Sequence, residues 1–434
     1  MTDRGPEALI RRWFDGALRA VEPAAAVERV LACEGGALVV REQRIPVRRR
    51  LVVVGVGKAA VPMARGVEAV CGERIETGLV ITKDGHATGE VPRRIKVAEA
   101  AHPIPDDRGV RATREMLDLL RGVGDGDVVV AIISGGGSAL MEAPRPPVTL
   151  ADVARTTDLL LRAGAPIQDL NRVRIPLSLV KGGGLRRAAD GATMVTLILS
   201  DVLGNDTRII ASGPTVRGES SAEDALRLLD RYAVRDRVPA VVVQTLEGTT
   251  DERDAWDFPL DAVEIVADNE TALEAMREQV SADGYRAEVV WKRTGGEASE
   301  LGRAWVEACG ASDPGADVLL GGGEATVTVR GDGIGGRNTE FALAAALEIE
   351  RRQLTGWTIA SLATDGQDGP TDVAGAIADP GTGARAREKG VDPEEALANN
   401  DSLRVFEAAG GIVNPGPTGT NVNDLYVAVR VRPE

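Results

Sequence analysis

Residues 127–144 read DVVVAIISGGGSALMEAP, and the six residues from Val128 to Ile133 are all apolar. A run with no polar face must be covered on both sides. That requirement predicts a strand inside a parallel sheet flanked by helices, not a solvated hairpin. The run enters Ser134, Gly135, Gly136, Gly137 and Ser138 directly. Ordering glycine costs more chain entropy than ordering any other residue, so three together imply a close approach to the backbone. The pattern recurs at 51–54 (LVVV), which leads into Gly55, Val56, Gly57 and Lys58. Further strands are expected at 78–82, 95–99 and 193–199. Helices are expected at 107–121, 150–163 and 176–189, after an amphipathic helix over 7–33. This alternation predicts a doubly wound α/β sheet, in which ligands bind beyond the carboxyl ends of the strands.

A chain of 434 residues is long for one core. The polar, turn-rich stretch 244–259 (QTLEGTTDERDAWDFP) reads as a junction between a larger Rossmann-like α/β/α domain (1–250) and a smaller α/β domain (251–434). In the second part, strands are expected at 262–267, 286–291, 316–321, 325–329, 357–363 and 424–430, with helices at 269–283, 297–308 and 338–352. The formal charge of −15 excludes a broad nucleic-acid surface. Three scattered cysteines without metal spacing, a charged N-terminal stretch and the lack of any membrane-length apolar run point to a cytoplasmic protein. A small molecule is the expected partner, and a homo-oligomer is left open.

Glycine turns carrying charged or hydroxyl residues mark the chemistry. Lys58 follows a Gly-x-Gly turn, and Arg337 follows two glycines where a helix should start; cations beside free helix amides form anion sites. The bare backbone of Ser134–Ser138, with its two hydroxyls, is suited to phosphoryl oxygens, as is Lys181 with Gly182 and Gly183. No Walker A sequence occurs. Asp201, Glu324 and Asp365 follow expected strands and suit a hard cation such as Mg²⁺ or a hydroxyl proton. Asp206 and Asp368 fit helix or turn capping at least as well. With only His86 and His102 present, a histidine-rich metal site or a Ser-His-Asp triad has few candidate members. His102 is read equally as a turn residue and as a site-lining one. The segment VVVGVGKAA also satisfies G-x-G-x-x-A, and Asp84 stands near the place of an acidic ribose ligand. An NAD(P)H-dependent reductase is therefore the competing reading, and a non-catalytic nucleotide-binding paralogue is a third.

The motifs GVGKAA, AAHPIPDD, ISGGGSALMEAP, NRVRIPLSLVKGGGL, LILSDVLGNDTRIIASGPT, GGGEATVTV, GGRNTEFALAAAL, ATDGQDGPTDVAGA and GPTGTNVNDL follow one another from about residue 55 to 425. As an ordered set they resemble the glycerate 2-kinases, the class II glycerate kinases with a C-terminal MOFRL domain. The resemblance implies ATP- and Mg²⁺-dependent phosphorylation of D-glycerate, usually at the 2-hydroxyl, with the active site in an interdomain cleft. It implies a catalytic lysine and arginine, which fall on Lys58 and Arg337, with Asn338 beside the latter. Asp201 is expected to orient the hydroxyl, and Asp201, Glu324 and Asp365 to hold the metal. The family has also carried the name hydroxypyruvate reductase. Two departures stand out: Asn205 replaces the first of a paired acid in SDV-x-GDD, and Thr339 replaces the glutamine of GGRNQE.

Overall fold

The computed structural model describes residues 5–250 and 256–431. They form two compact units, one of Pro23–Leu199 with Asn205–Val266, the other of Met1–Glu22, Ser200–Gly204 and Ala267–Glu434. Compactness therefore does not follow chain order across the expected 250/251 boundary. Part of that junction, 251–255, lies outside the described residues.

The first unit is built on a six-stranded sheet in the order Lys96–Ala100, Ile75–Lys83, Leu51–Val56, Val128–Ile133, Thr193–Leu199, Ala262–Ala267. The first five strands pair in parallel. Leu51–Val56 and Val128–Ile133 are buried along their whole length, as their uninterrupted apolar sequences require. Strand order reverses between these two, because the chain moves outward on one side of Leu51–Val56 and then returns to its other side. The carboxyl ends at such a reversal form a natural ligand crevice. Ala262–Ala267, expected to open the second part, instead covers the edge left by Thr193–Leu199. A smaller antiparallel sheet of Leu31–Glu34, Ala37–Val40 and Gln43–Pro46 precedes the main one.

The second unit carries a mixed sheet ordered Ala287–Glu297, Val318–Thr326, Asp424–Arg430, Trp357–Ala363, Gly375–Ala378, Ile412–Val413. Its first pair is parallel and the rest antiparallel. One side of it packs a cluster that includes Trp305, Phe341, Ile359 and Tyr426. Among the described residues no helix is long and apolar enough to cross a membrane.

Three local expectations change. The helix over 7–33 is two helices, Pro6–Ala20 and Pro23–Val30, followed by a strand. Proline has no amide for an interior helical bond but fits a first turn, so Pro23 starts the second helix. The helix over 176–189 reduces to Gly184–Ala188, while the preceding helix ends at Arg174, ahead of Pro176. The strands at 316–321 and 325–329 are one strand, Val318–Thr326. Gly321 to Gly323 lie inside it rather than in a ligand loop. A Cβ there would strike Trp305 and Trp291, the Asn269 side chain, and the Thr294 backbone respectively, so packing demands these glycines.

Candidate active site

In the first unit, the two glycine turns meet where strand order reverses. The Lys58 amide donates to Gly135 O (2.9 Å), the Ser134 amide to Val56 O (2.9 Å), and the Ala59 amide to Ser134 Oγ (3.0 Å). Gly57 has φ of +127°, and a Cβ on it would overlap Ser134, so only glycine lets the turns come this close. Gly136 is left-handed (φ +82°), and a Cβ on it would sit 3.1 Å from the His102 ring and 3.5 Å from Lys58 Cγ. The amides of Gly135, Gly136, Gly137 and Ser138 reach no protein acceptor among the described residues. They stand beside Lys58, which is half-buried and has no carboxylate partner among those residues. Lys58, Lys83 and His86 depress the His102 pKa to about 4, after burial, the largest cause, so its imidazole is neutral at pH 7. Open backbone dipoles beside a lysine charge are complementary to an anion.

Four residues assigned to this site from sequence do different work. The Ser134 hydroxyl is buried and accepts from Ala59, so it holds the turn. The Lys181 side chain is only 1% exposed; its ammonium donates to Ser138 O (2.7 Å) and Met141 O (3.3 Å) and faces Glu142 at 3.2 Å. It therefore fixes the far end of the 134–141 turn from beneath. The Gly182 and Gly183 amides donate to Ser212 O (2.9 Å) and Gly213 O (2.7 Å), so they are not free for phosphate. Their carbonyl partners belong to Ala211–Gly213, a run with φ of +50°, +62° and +57°. Left-handed backbone at Ala211 and Ser212 is costly, and these hydrogen bonds help to impose it. Ser212 Oγ also lies 2.8 Å from Ser138 Oγ. Lys181–Gly183 and Ala211–Gly213 thus scaffold the 134–141 turn.

In the second unit, Arg337 is the first residue of the helix Arg337–Arg352. Its Nε and Nη2 donate to the two oxygens of Asp424 at 2.7 and 2.8 Å. Asn338 Nδ2 donates to Asp424 as well (3.0 Å), and Asn338 Oδ1 accepts from Ser361 Oγ (2.6 Å). The Arg337 pKa is pushed up by Asp424 against the effect of burial. Asp368 is fully buried and accepts the Asn338 and Thr339 amides, both at 2.8 Å. It is the helix cap, one of the two roles the sequence allowed it. Thr339, the departure from the family pattern, donates its hydroxyl to Asp368 (2.8 Å) and takes the Gly336 amide (2.9 Å), so it completes the cap.

Glu324 shares the field of Arg337, Asp424, Asp201 and Asp365. Glu324 is exposed at the surface, but its partial desolvation and then the three aspartates favour the neutral carboxyl, with Arg337 opposing them, so its pKa is raised. The three carboxylates named from sequence are therefore brought together in one unit. Asp206 is not with them: it belongs to the first unit, paired with Arg208 at 2.7 Å. No three acidic, histidine or cysteine side chains among the described residues form a ready metal cage. The donor set still suits Mg²⁺, which takes one or two carboxylates and completes its shell with phosphate and water.

Sequence reasoning missed Asp424 as a site residue, although it lies in the last quoted motif. Its signal was an acid just before the apolar strand Leu425–Val429, which makes it a buried charge in need of a partner. Asp84, the expected ribose ligand of a dinucleotide site, accepts from Nη1 and Nη2 of Arg108 at 2.7 and 2.6 Å.

The family described as domain of unknown function DUF4147 matches residues 9–247, and the MOFRL family matches residues 317–424. A glycerate 2-kinase of Pyrococcus horikoshii is 37% identical over 95% of this chain and 94% of its own. A protein of Agrobacterium vitis provisionally named as a hydroxypyruvate reductase is 39% identical over 98% of this chain and 94% of its own. The crystal structure of a glycerate kinase from Thermotoga maritima superposes with a TM-score of 0.88 at 34% identity, covering 98% of this chain and 99% of that one.

Proposed function

We propose, on the premise that this chain belongs to the MOFRL-containing glycerate kinase family, that it transfers the γ-phosphoryl group of ATP to the 2-hydroxyl of D-glycerate. The observation that carries the reading is the pair of glycine turns joined at the strand reversal, with four free amides beside Lys58. Such a surface is complementary to phosphoryl oxygens.

In this reading the Gly135–Ser138 amides hold the nucleotide phosphates and Lys58 neutralises the moving phosphoryl group. Arg337, aimed by Asp424, and Asn338 hold the glycerate carboxylate. Asp201 orients the 2-hydroxyl and takes its proton. The hydroxyl oxygen forms the new P–O bond as the bond to ADP breaks. Carboxylates among Asp201, Glu324 and Asp365 would hold Mg²⁺, which would supply charge neutralisation at the phosphates. Phosphoryl transfer asks little else of a protein than positioning and charge.

The test is Mg-ATP with D-glycerate, following ADP and identifying the product by ³¹P NMR, beside hydroxypyruvate with NADH or NADPH. ADP with 2-phosphoglycerate supports the reading. 3-Phosphoglycerate keeps the kinase and changes the acceptor atom. Nicotinamide oxidation without phosphate transfer overturns it in favour of the reductase named among the relatives.

A further inference from the structure

A cavity of about 500 Å³ on the first unit is lined by Arg114, Arg121, Arg145 and Arg187, with Leu117 and Leu179 supplying apolar wall. Four guanidinium groups line one cavity of a chain whose formal charge is −15, and Arg114 and Arg145 have no acidic partner among the described residues. The one acid in the lining, Asp118, is already paired with Arg121. Arg114 is exposed on the helix Asp107–Arg121 and has no ion pair or hydrogen bond among the described residues. Arg145 donates through Nε to Pro176 O (3.3 Å) and has no acidic partner among those residues. A neighbouring cavity of about 470 Å³ shares Arg145 and Leu179, so there is room beyond a bare phosphate. None of these residues belongs to the site described above.

We infer that this cavity is a second anion site, which takes a phosphorylated small molecule with an apolar portion and regulates the phosphate-binding turn. Guanidinium forks match phosphate oxygens in pairs, and the leucines offer a surface for the remainder of the ligand. Coupling runs through Arg187, whose Nη1 donates to Gly182 O (3.2 Å). Gly182 adjoins Lys181, which holds Ser138 O and Met141 O. A ligand that draws Arg187 away from Gly182 acts on the segment that shapes the turn. The binding half of the inference stands without the proposed kinase reaction; the regulatory half rests on it.

The experiment is calorimetric titration of the full chain with phenyl phosphate, and with inorganic phosphate for comparison. Lys58→Ala isolates this site from the turn. Saturable binding of phenyl phosphate is expected in the wild type and in Lys58→Ala. Arg114→Glu and Arg145→Gln should each weaken it by about tenfold or more, with unchanged melting and unchanged kcat when no probe is added. Glutamine at 145 keeps a donor for Pro176 O, so a loss there reports the charge. Adding phenyl phosphate should shift the KM for ATP in the wild type and not in Arg114→Glu. Binding abolished by Lys58→Ala and untouched by Arg114→Glu overturns the inference, as does no binding at all. Equal affinity for inorganic phosphate removes the apolar half of the ligand class. Tight binding with no glycerate phosphorylation would sink the kinase reading and spare the site.

Discussion

Replacing Asp424 with asparagine tests whether the Arg337 site is a prearranged electrostatic unit. Asp424 is fully buried and accepts three hydrogen bonds, two from Arg337 and one from Asn338. Burial pushes its pKa up, and Arg337 opposes that effect. Asparagine keeps the shape but offers one acceptor oxygen and turns an NH₂ toward a guanidinium. Hydrogen bonds to charged groups contribute about 1.5–3 kcal/mol each, and removing one partner of a buried pair costs about 3–5 kcal/mol. Because asparagine retains one acceptor, a loss of about 2–4 kcal/mol is expected. For a domain of this size that is a fall in Tm of roughly 5–15 °C. The freed guanidinium should also lose its aim, lowering kcat/KM for glycerate by about 10²-fold, the scale of an ångström-level misplacement. Differential scanning calorimetry and steady-state kinetics on one preparation give both numbers. An Asp424→Asn protein with wild-type Tm and wild-type kcat/KM would refute the reasoning, since the pair would then contribute neither stability nor orientation.

The two lysines of the first unit should separate cleanly. Lys58→Ala should keep its Tm and lose activity by at least about 10²-fold; Lys181→Met should instead lose about 3 kcal/mol in urea unfolding, because the buried Glu142 then keeps only Arg174, at 3.7 Å, as a cationic partner. Gly136→Ala forces a side chain into left-handed backbone against His102. It should cost about 1–2 kcal/mol and raise the KM for ATP more than the KM for glycerate, as kinetics with each substrate varied would show. Asp127 titrates at about 2, where Arg50 and the amides of Arg50 and Gly124 outweigh burial. Its folded pKa lies below the unfolded value near 3.9, so its stabilisation is complete above about pH 4 and is lost as pH falls toward 2. Urea midpoints of wild type and Arg50→Gln should therefore differ at pH 7 and converge near pH 2; a constant difference would exclude the pair as the cause.

Local sequence determined the parallel sheet of the first unit, because strands apolar on both faces have no other stable setting. It also marked the turns where backbone must lie close to something, and it placed Lys58 and Arg337 at them. The ordered motifs carried the family. What the chain could not reveal locally was what each glycine made room for. Gly135 and Gly136 leave amides open, Gly182 and Gly183 spend theirs on Ser212 and Gly213, and Gly321–Gly323 yield space to tryptophans and a neighbouring strand. All three runs look alike as letters. Lys181 likewise reads as a phosphate ligand until Glu142 and two carbonyls are seen to enclose it. Asp424, 87 residues from its partner, becomes a site residue only when the strand Asp424–Arg430 sits beside Val318–Thr326 and Trp357–Ala363. Periodicity and turn chemistry act over a few residues and can be read along the chain. Whether a charge or an amide is left for a ligand depends on which distant groups reach it first, and only the tertiary structure decides that.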